Sequence, residues 1–408
     1  MATLAIKGGT PVRDEAFPKW PVWGDEEING VTEVIKSGKW GSLHGKKVEE
    51  FEQKFAKFQN AKHGICVTSG TTALKIALVA NGVDVCQEVL VPNYTFIASA
   101  TAVIEAGALP VLVDVEPDTY NIDADILEVH INERTAAIMP VHFAGRPADM
   151  DKILKLAKKH NLKVIEDACQ AWGSEWNGKR VGSIGDAGTF SFQSSKNINA
   201  GEGGIITCND DLVAKMCRTH ANCGRSEDGE WYEHYYFGGN FRMTELQGAV
   251  LHAQLDRFEE LNEIRNENDD FLTEELAEIE GIDPLVNDKK VTKRSSHIFI
   301  FRYSKEAFKG VSKATFIDAL RKEGIQCSPG YSLPLNKQPV FMKKAFGPYG
   351  KSVELPIDYE NVNTPVTDRA VYEEAIWLTQ NVLLGTPEDM DDIVEAINKI
   401  KDNVDELL

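Results

Sequence analysis

Gly188-Thr189-Phe190-Ser191-Phe192-Gln193-Ser194-Ser195-Lys196-Asn197-Ile198-Asn199-Ala200-Gly201-Glu202-Gly203-Gly204 is the stretch on which the fold turns. Gly188 to Phe192 is a β-rich run that hands a serine and a lysine to a loop. A glycine-rich turn then leads back into Ile205-Ile206-Thr207. Loops beside buried strands are where rigid scaffolds tend to carry chemistry. Desolvation there lowers an amine's pKa, the property a Schiff-base lysine needs. The alternative is one more solvated lysine among 44 Lys and Arg residues, and the rest of the chain decides between them.

Upstream of this stretch the chain alternates short apolar runs with helical patterns. Ile65-Cys66-Val67, Val89-Leu90-Val91, Pro110 to Val115, Ala136 to Val141 and Lys163 to Glu166 read as strands. Between them, Thr72 to Val79, Thr95 to Ala106 and a stretch starting near Asp149 read as helices, the last closing on Lys158, Lys159 and His160, cations suited to a helix C-terminus. Such alternation predicts an α/β architecture with a mainly parallel sheet and helices on both faces. Ligands on such sheets bind at the carboxyl ends of the strands. That rim would hold Ser69-Gly70-Thr71, Asp167 and Lys196.

Before this region, residues 1–40 form a lead-in with a helix near Glu26 to Ser37. Lys46 to Gln59 carries Val48, Phe51, Phe55 and Phe58 on one helical face, a core pattern rather than a cofactor box. After it, Thr244 to about Ile279 reads as one long helix or two in tandem, and Gly281 to Arg294 as a polar transition. A smaller α+β unit follows, with a strand at His297 to Tyr303, a helix over Ser312 to Glu323, and a last helix opened by Thr386 as N-cap and Pro387 at its first position. At 408 residues the chain exceeds the size at which one core stops growing, so two domains are expected, 1–265 and 266–408.

The totals exclude several classes. A net charge of −19 with no basic block argues against a nucleic-acid partner. No run approaches the roughly 18 apolar residues of a membrane span, and Met1 to Gly9 shows no signal-peptide pattern. Seven cysteines without a CxxC pair point to reduced thiols. Nine scattered histidines show no metal spacing. The expectation is a soluble cytoplasmic protein without a metal.

Several residues have a chemical and an ordinary reading. Ser69-Gly70-Thr71, between strand and helix, could bind an anion through backbone amides and the Thr71 hydroxyl, or simply cap the helix. Asp167 follows Val164-Ile165 at a strand mouth, where a carboxylate needs a partner. It could cap or form an ion pair, or it could keep a pyridine nitrogen protonated. Phe96 could be core or could stack on a flat ring, and Asn240 could be an ordinary Asx turn.

Together these features resemble the DegT/DnrJ/EryC1/StrS group of sugar and cyclitol aminotransferases, from Gly8-Gly9 and Trp40-Gly41 to Leu383-Leu384-Gly385. Glu166-Asp167-Ala168-Cys169-Gln170-Ala171 and Ser191 to Lys196 with Gly201-Glu202-Gly203-Gly204 are the most specific parts. The resemblance implies fold type I, with a large seven-stranded-type sheet domain, a smaller C-terminal α+β domain and pyridoxal 5′-phosphate as cofactor. It further implies that Lys196 forms the internal aldimine and moves the proton, that Asp167 pairs with the pyridine nitrogen, and that Gln170 sits near the phenolic oxygen. Phe96 would stack on the ring, while Gly70, Thr71 and Ser191 hold the phosphate. Asn240 would reach the cofactor phosphate of a neighbouring subunit, making the enzyme a homodimer with shared sites.

The implied reaction moves an amino group from L-glutamine or L-glutamate, by way of the pyridoxamine form, to a keto-sugar or keto-cyclitol. Cys169 stands where alanine is usual. Gln193 stands where many sugar-nucleotide aminotransferases have histidine, closer to the keto-cyclitol and aminohydroxybenzoate branch. A dehydrating synthase of the aminohydroxybenzoate type and a non-catalytic regulatory member are the alternatives. Trp40, His220 and Tyr331 are candidate substrate contacts.

Overall fold

The computed structural model describes residues 3–347 and 357–408. In chain order, α1 (Asp25–Ser37) and α2 (Lys47–Phe58) lead into β1 (His63–Val67), α3 (Gly70–Ala80), β2 (Glu88–Pro92), α4 (Ala98–Glu105) and β3 (Leu109–Val113). Then come β4 (Thr135–Ile138), α5 (Met150–His160), β5 (Lys163–Asp167), the short β6 (Glu175–Trp176) and β7 (Lys179–Arg180), and β8 (Ala187–Ser191) with β9 (Gly204–Cys208). The remainder is α6 (Asp211–Ala221), α7 (Glu245–Ala277), β10 (Ile282–Pro284), β11 (Val291–Lys293), β12 (Ile298–Tyr303), α8 (Lys313–Lys322), β13 (Ala375–Thr379) and a final helix, Pro387–Asp402.

The central sheet has seven strands in the order β1-β9-β8-β5-β4-β2-β3. Its strands are buried on both faces, which is why they read as unbroken apolar runs rather than alternating ones. Pairings along β8-β5-β4-β2-β3 are parallel. β9 alone runs against both its neighbours, β1 and β8. The reason lies in the opening stretch: residues 192–203 contain no crossover helix, so the chain returns beside β8 in the opposite sense. That return keeps the Lys196 loop at the carboxyl rim.

The aromatic stripe of α2 is core, as its spacing predicts. Phe55 meets Phe190 at 5.0 Å between ring centroids and Phe192 at 5.5 Å, edge to face. These contacts pin both ends of the β8 exit, and a buried aromatic of this kind is worth about 3–5 kcal/mol on truncation to alanine. The residues that lead β8 into the lysine loop are therefore fixed by packing rather than by the loop itself.

α7 is one helix of 33 residues, not two in tandem. A Thr244/Gln247 capping box opens it. Its first half packs Leu251, Leu255 and Phe258 on the sheet side, and its second half packs Leu272 and Leu276 into a separate core with Phe299, Phe316 and Ile393. The position 265/266 thus falls inside a continuous helix. Leu4 and Phe17 of the lead-in join that second core, and Leu335, Phe341, Phe346 and Tyr359 return to the sheet core. Burial of each amphipathic face, not chain order, assigns these segments to one core or the other. The Gly281–Arg294 stretch, read as a polar transition, contributes β10, paired with β12, and β11, paired with β6.

Candidate active site

The carboxyl ends of β5 and β8, the N-terminus of α3 and the start of β12 enclose a cavity of about 520 Å³. Seven of the eight residues singled out from the sequence line it: Gly70, Thr71, Phe96, Asp167, Gln170, Ser191 and Lys196. Asn240 does not. It is exposed on the surface, its backbone bridged to Asn222, after a segment in which Trp231, Tyr232 and Phe237 are also exposed.

Lys196 is presented by a self-capped turn. The Gln193 side-chain oxygen accepts from the Ser195 N–H (2.9 Å) and hydroxyl (2.7 Å), and the Lys196 N–H donates to the Gln193 carbonyl at 2.9 Å. Trp20 of the lead-in donates its indole N–H to the Ser194 carbonyl at 3.0 Å, clamping the outer side of the turn. Nζ stands over the Trp172 ring, 6.0 Å from its centroid. Burial pulls this amine below the ordinary lysine value, and the nearby Cys169 and Asp167 groups oppose the shift.

Asp167 closes β5 and is buried. Its oxygens are taken by a hydroxyl and a backbone N–H rather than by a cation: Oδ2 accepts from Ser99 Oγ at 2.7 Å, and Oδ1 from the Cys169 N–H at 3.2 Å. The ordinary ion-pair reading therefore does not describe it. Ser99 Oγ in turn lies 3.1 Å from Thr95 Oγ1.

The anion-binding reading of the α3 turn has a geometric counterpart. Ser69 is the N-cap, its Oγ accepting from the Thr72 N–H at 3.1 Å. This leaves the Gly70 and Thr71 N–H groups without intrahelical acceptors. A Cβ on Gly70 would stand 2.8 Å from Ser191 Cβ and 3.0 Å from Cys169 Sγ, so only glycine lets the helix end approach β8. Phe96 is 58% exposed, which removes its reading as core. Gln170 Oε1 accepts from the Ala144 N–H at 2.8 Å, which fixes the amide plane beside the Tyr331 hydroxyl.

Of the three substrate candidates, Tyr331 lines the cavity, packed on Trp377 at 4.8 Å between centroids. Trp40 is exposed and bonds Ile35, and His220 packs on Tyr236; neither reaches the cavity. Sequence reading missed Ser99, His297 and Trp377, which also line it, and gave Glu202 of the Gly201–Gly204 motif no role of its own. Ser99 carried a faint signal, a hydroxyl four residues after Thr95 in a mostly apolar helix. His297 and Trp377 carried none, because pairing of β12 with β13 brings them to the wall.

Residues 21–398 match the DegT/DnrJ/EryC1/StrS aminotransferase family. An L-glutamine:2-deoxy-scyllo-inosose aminotransferase from Streptoalloteichus tenebrarius is 35% identical over 417 aligned residues, 97% of each chain. A 3-amino-5-hydroxybenzoate synthase from Amycolatopsis mediterranei is 35% identical over 375 residues, 91% of this chain and 94% of that one. A crystal structure of 3-amino-5-hydroxybenzoic acid synthase superposes with a TM-score of 0.85 at 32% identity, covering 96% of this chain and 98% of the other. The chain belongs to the DegT/DnrJ/EryC1/StrS aminotransferase family, enzymes that depend on pyridoxal 5′-phosphate.

Proposed function

We propose that the cavity holds pyridoxal 5′-phosphate and that the protein transfers an amino group from L-glutamine to a keto-cyclitol. The observation that carries this is the presence, in one cavity, of a half-buried lysine whose amine burial holds below its ordinary value and a buried carboxylate bonded by a hydroxyl and a backbone N–H rather than by an ion pair. The glycine-fitted helix N-terminus beside Ser191 completes a set that suits an aldehyde, a pyridinium nitrogen and a phosphate. The bound cofactor supplies an electron sink for the carbanion chemistry. Lys196 takes and returns the proton at Nζ, and Asp167, oriented by Ser99, holds the pyridine nitrogen protonated. Gln170 donates toward the phenolic oxygen and Phe96 covers the ring. Gly70, Thr71 and Ser191 hold the phosphate, completed by Asn240 of a second copy in a homodimer.

Gly70→Ala is expected to weaken cofactor binding about tenfold or more, since overpacking costs about 1–3 kcal/mol. An absorbance titration with pyridoxal phosphate measures it, and wild-type affinity would remove α3 from the phosphate site.

L-Glutamine and a keto-cyclitol are favoured by the cyclitol aminotransferase with which the chain aligns end to end. Adding L-glutamine to the holoenzyme should bleach the visible cofactor band, and scyllo-inosose should restore it while gaining an amine. Bleaching by L-glutamate alone would change the donor, and no bleaching by either would remove the aminotransferase assignment. The likeness to 3-amino-5-hydroxybenzoate synthase supports a second reading, a dehydrating synthase. Mass spectrometry separates the two, because the synthase product has lost water. Among the described residues no helix is long and apolar enough to cross a membrane, and no cluster could hold a metal ion.

A further inference from the structure

One titratable group on the cavity wall is left unused by these roles. His297 stands just before β12, only 6% exposed, with its ring edge-on to Trp172 at 5.5 Å between centroids. Its Nδ1 lies 2.7 Å from Asn197 Oδ1. Asn197 donates its own amide to the Ser296 carbonyl at 3.2 Å, so its Oδ1 is an acceptor and His297 Nδ1 carries the hydrogen. Nε2 is therefore a bare lone pair. Among the described residues nothing donates to it, and the residue borders the cavity. Burial, reinforced by the positive charges of Lys196 and Arg265, holds the imidazole well below its ordinary value, so it stays an uncharged acceptor. Tyr331 and Trp377 give the same wall a mainly aromatic surface. An apolar wall with one fixed acceptor suits a polyhydroxylated ring, whose hydroxyls donate.

We propose that His297 determines acceptor specificity, its Nε2 accepting a hydrogen bond from a ring hydroxyl of the keto-cyclitol. This rests on the keto-cyclitol reading above. It also separates two functions within one imidazole: Nδ1 is a strut to the Lys196 loop, and Nε2 is the recognition atom. A site that leaves a buried acceptor unpaired discriminates against analogues lacking the hydroxyl, because the unmet group costs more than the bond gains.

Three variants divide the strut from the acceptor. His297→Phe removes both. His297→Asn reaches only the Nδ1 position, and His297→Gln carries an amide oxygen out to the Nε2 position. The holoenzymes are assayed with L-glutamine and scyllo-inosose, and binding of the unreactive scyllo-inositol is measured by calorimetry. The Phe variant should raise the scyllo-inosose KM and the scyllo-inositol Kd about tenfold to a hundredfold, the loss of a hydrogen bond from a buried site. Bleaching by L-glutamine should change less than about twofold in the Asn variant, which keeps the Nδ1 strut, because the donor half-reaction does not use Nε2. The Gln variant should recover most of the loss and the Asn variant should not. Unchanged cyclitol binding in the Phe variant would overturn the proposal. So would full cyclitol binding in the Asn variant, which makes His297 a strut only, or a parallel loss of the L-glutamine step in that variant, which makes Nε2 no specific contact of the acceptor. If the wild-type enzyme bleaches with L-glutamine but neither uses scyllo-inosose nor binds scyllo-inositol, the keto-cyclitol reading fails and this inference falls with it. Failure to bleach at all removes the aminotransferase assignment instead.

Discussion

Lys196→Ala is expected to lower turnover by about 10⁴-fold or more while the protein keeps its fold. A positioned acid–base group contributes about 10²–10⁴ by itself, and on the proposed reading this residue would also provide the amine that holds the cofactor covalently. The fold should tolerate the change because the loop is fixed on either side of the lysine. Phe192 and Ile198 are fully buried, and the turn is closed by the Gln193 and Ser195 bonds. Among the described residues Nζ makes no hydrogen bond or ion pair; it stands over the Trp172 ring and feels Cys169 and Asp167 only through space. Circular dichroism and the thermal midpoint should match wild type within a few degrees, and residual transamination above about a hundredth of wild type would remove Lys196 from the reaction. Mixing this variant with an Asn240→Ala chain extends the test. In a shared-site dimer, half the mixed dimers pair the two variants, and one of their two sites has both residues intact. About a quarter of wild-type activity should return. No recovery would mean that Asn240 does not serve its neighbour's site.

The central sheet was readable because parallel strands buried on both faces must be written as short apolar runs, and β2, with all five residues buried, is the clearest case. The rim was readable for the same reason: Asp167 and Ser191 each end such a run. What sequence could not supply were contacts closed by distant pairing. Nothing around Ser99 states that its hydroxyl ends 2.7 Å from Asp167, since α4 and β5 meet only when the sheet forms. His297 and Trp377 reach the cavity through strands paired a long way along the chain. Leu4 and Phe17 look like an N-terminal lead-in to the sheet unit, yet they pack with Phe299 and Phe316. Local pattern reports that a residue will be buried, and the partner is a property of the whole fold.

Asp167→Asn is expected to separate activity from stability. The amide keeps the carboxylate's shape: its oxygen can accept from the Cys169 N–H, and its NH2 can donate to Ser99 Oγ, now 2.7 Å from Oδ2. It loses the charge. In the folded protein without cofactor, that charge is buried, bonded by one hydroxyl and one backbone N–H and attracted by Lys196 only through space, an arrangement that costs stability compared with a neutral isostere. The cofactor-free variant should therefore melt at the same temperature as wild type or higher. In the reaction the sign reverses. A unit charge about 4 Å from a developing charge, at an effective dielectric of about 20, is worth about 4 kcal/mol, which is about 10³-fold in rate. Turnover should fall by that order, with the loss in kcat rather than in the KM for L-glutamine, because on the proposed reading the carboxylate would act on the ring and not on the donor. Ser99→Ala, which removes only the orienting hydroxyl, should lose about tenfold by comparison. If the Asn variant turned over within tenfold of wild type, Asp167 would be a cap on the β5 turn and no part of the chemistry. If it were instead inactive and poorly folded, the carboxylate would be holding the rim together. Only a stable, slow enzyme fits a buried charge kept for catalysis at the expense of the fold.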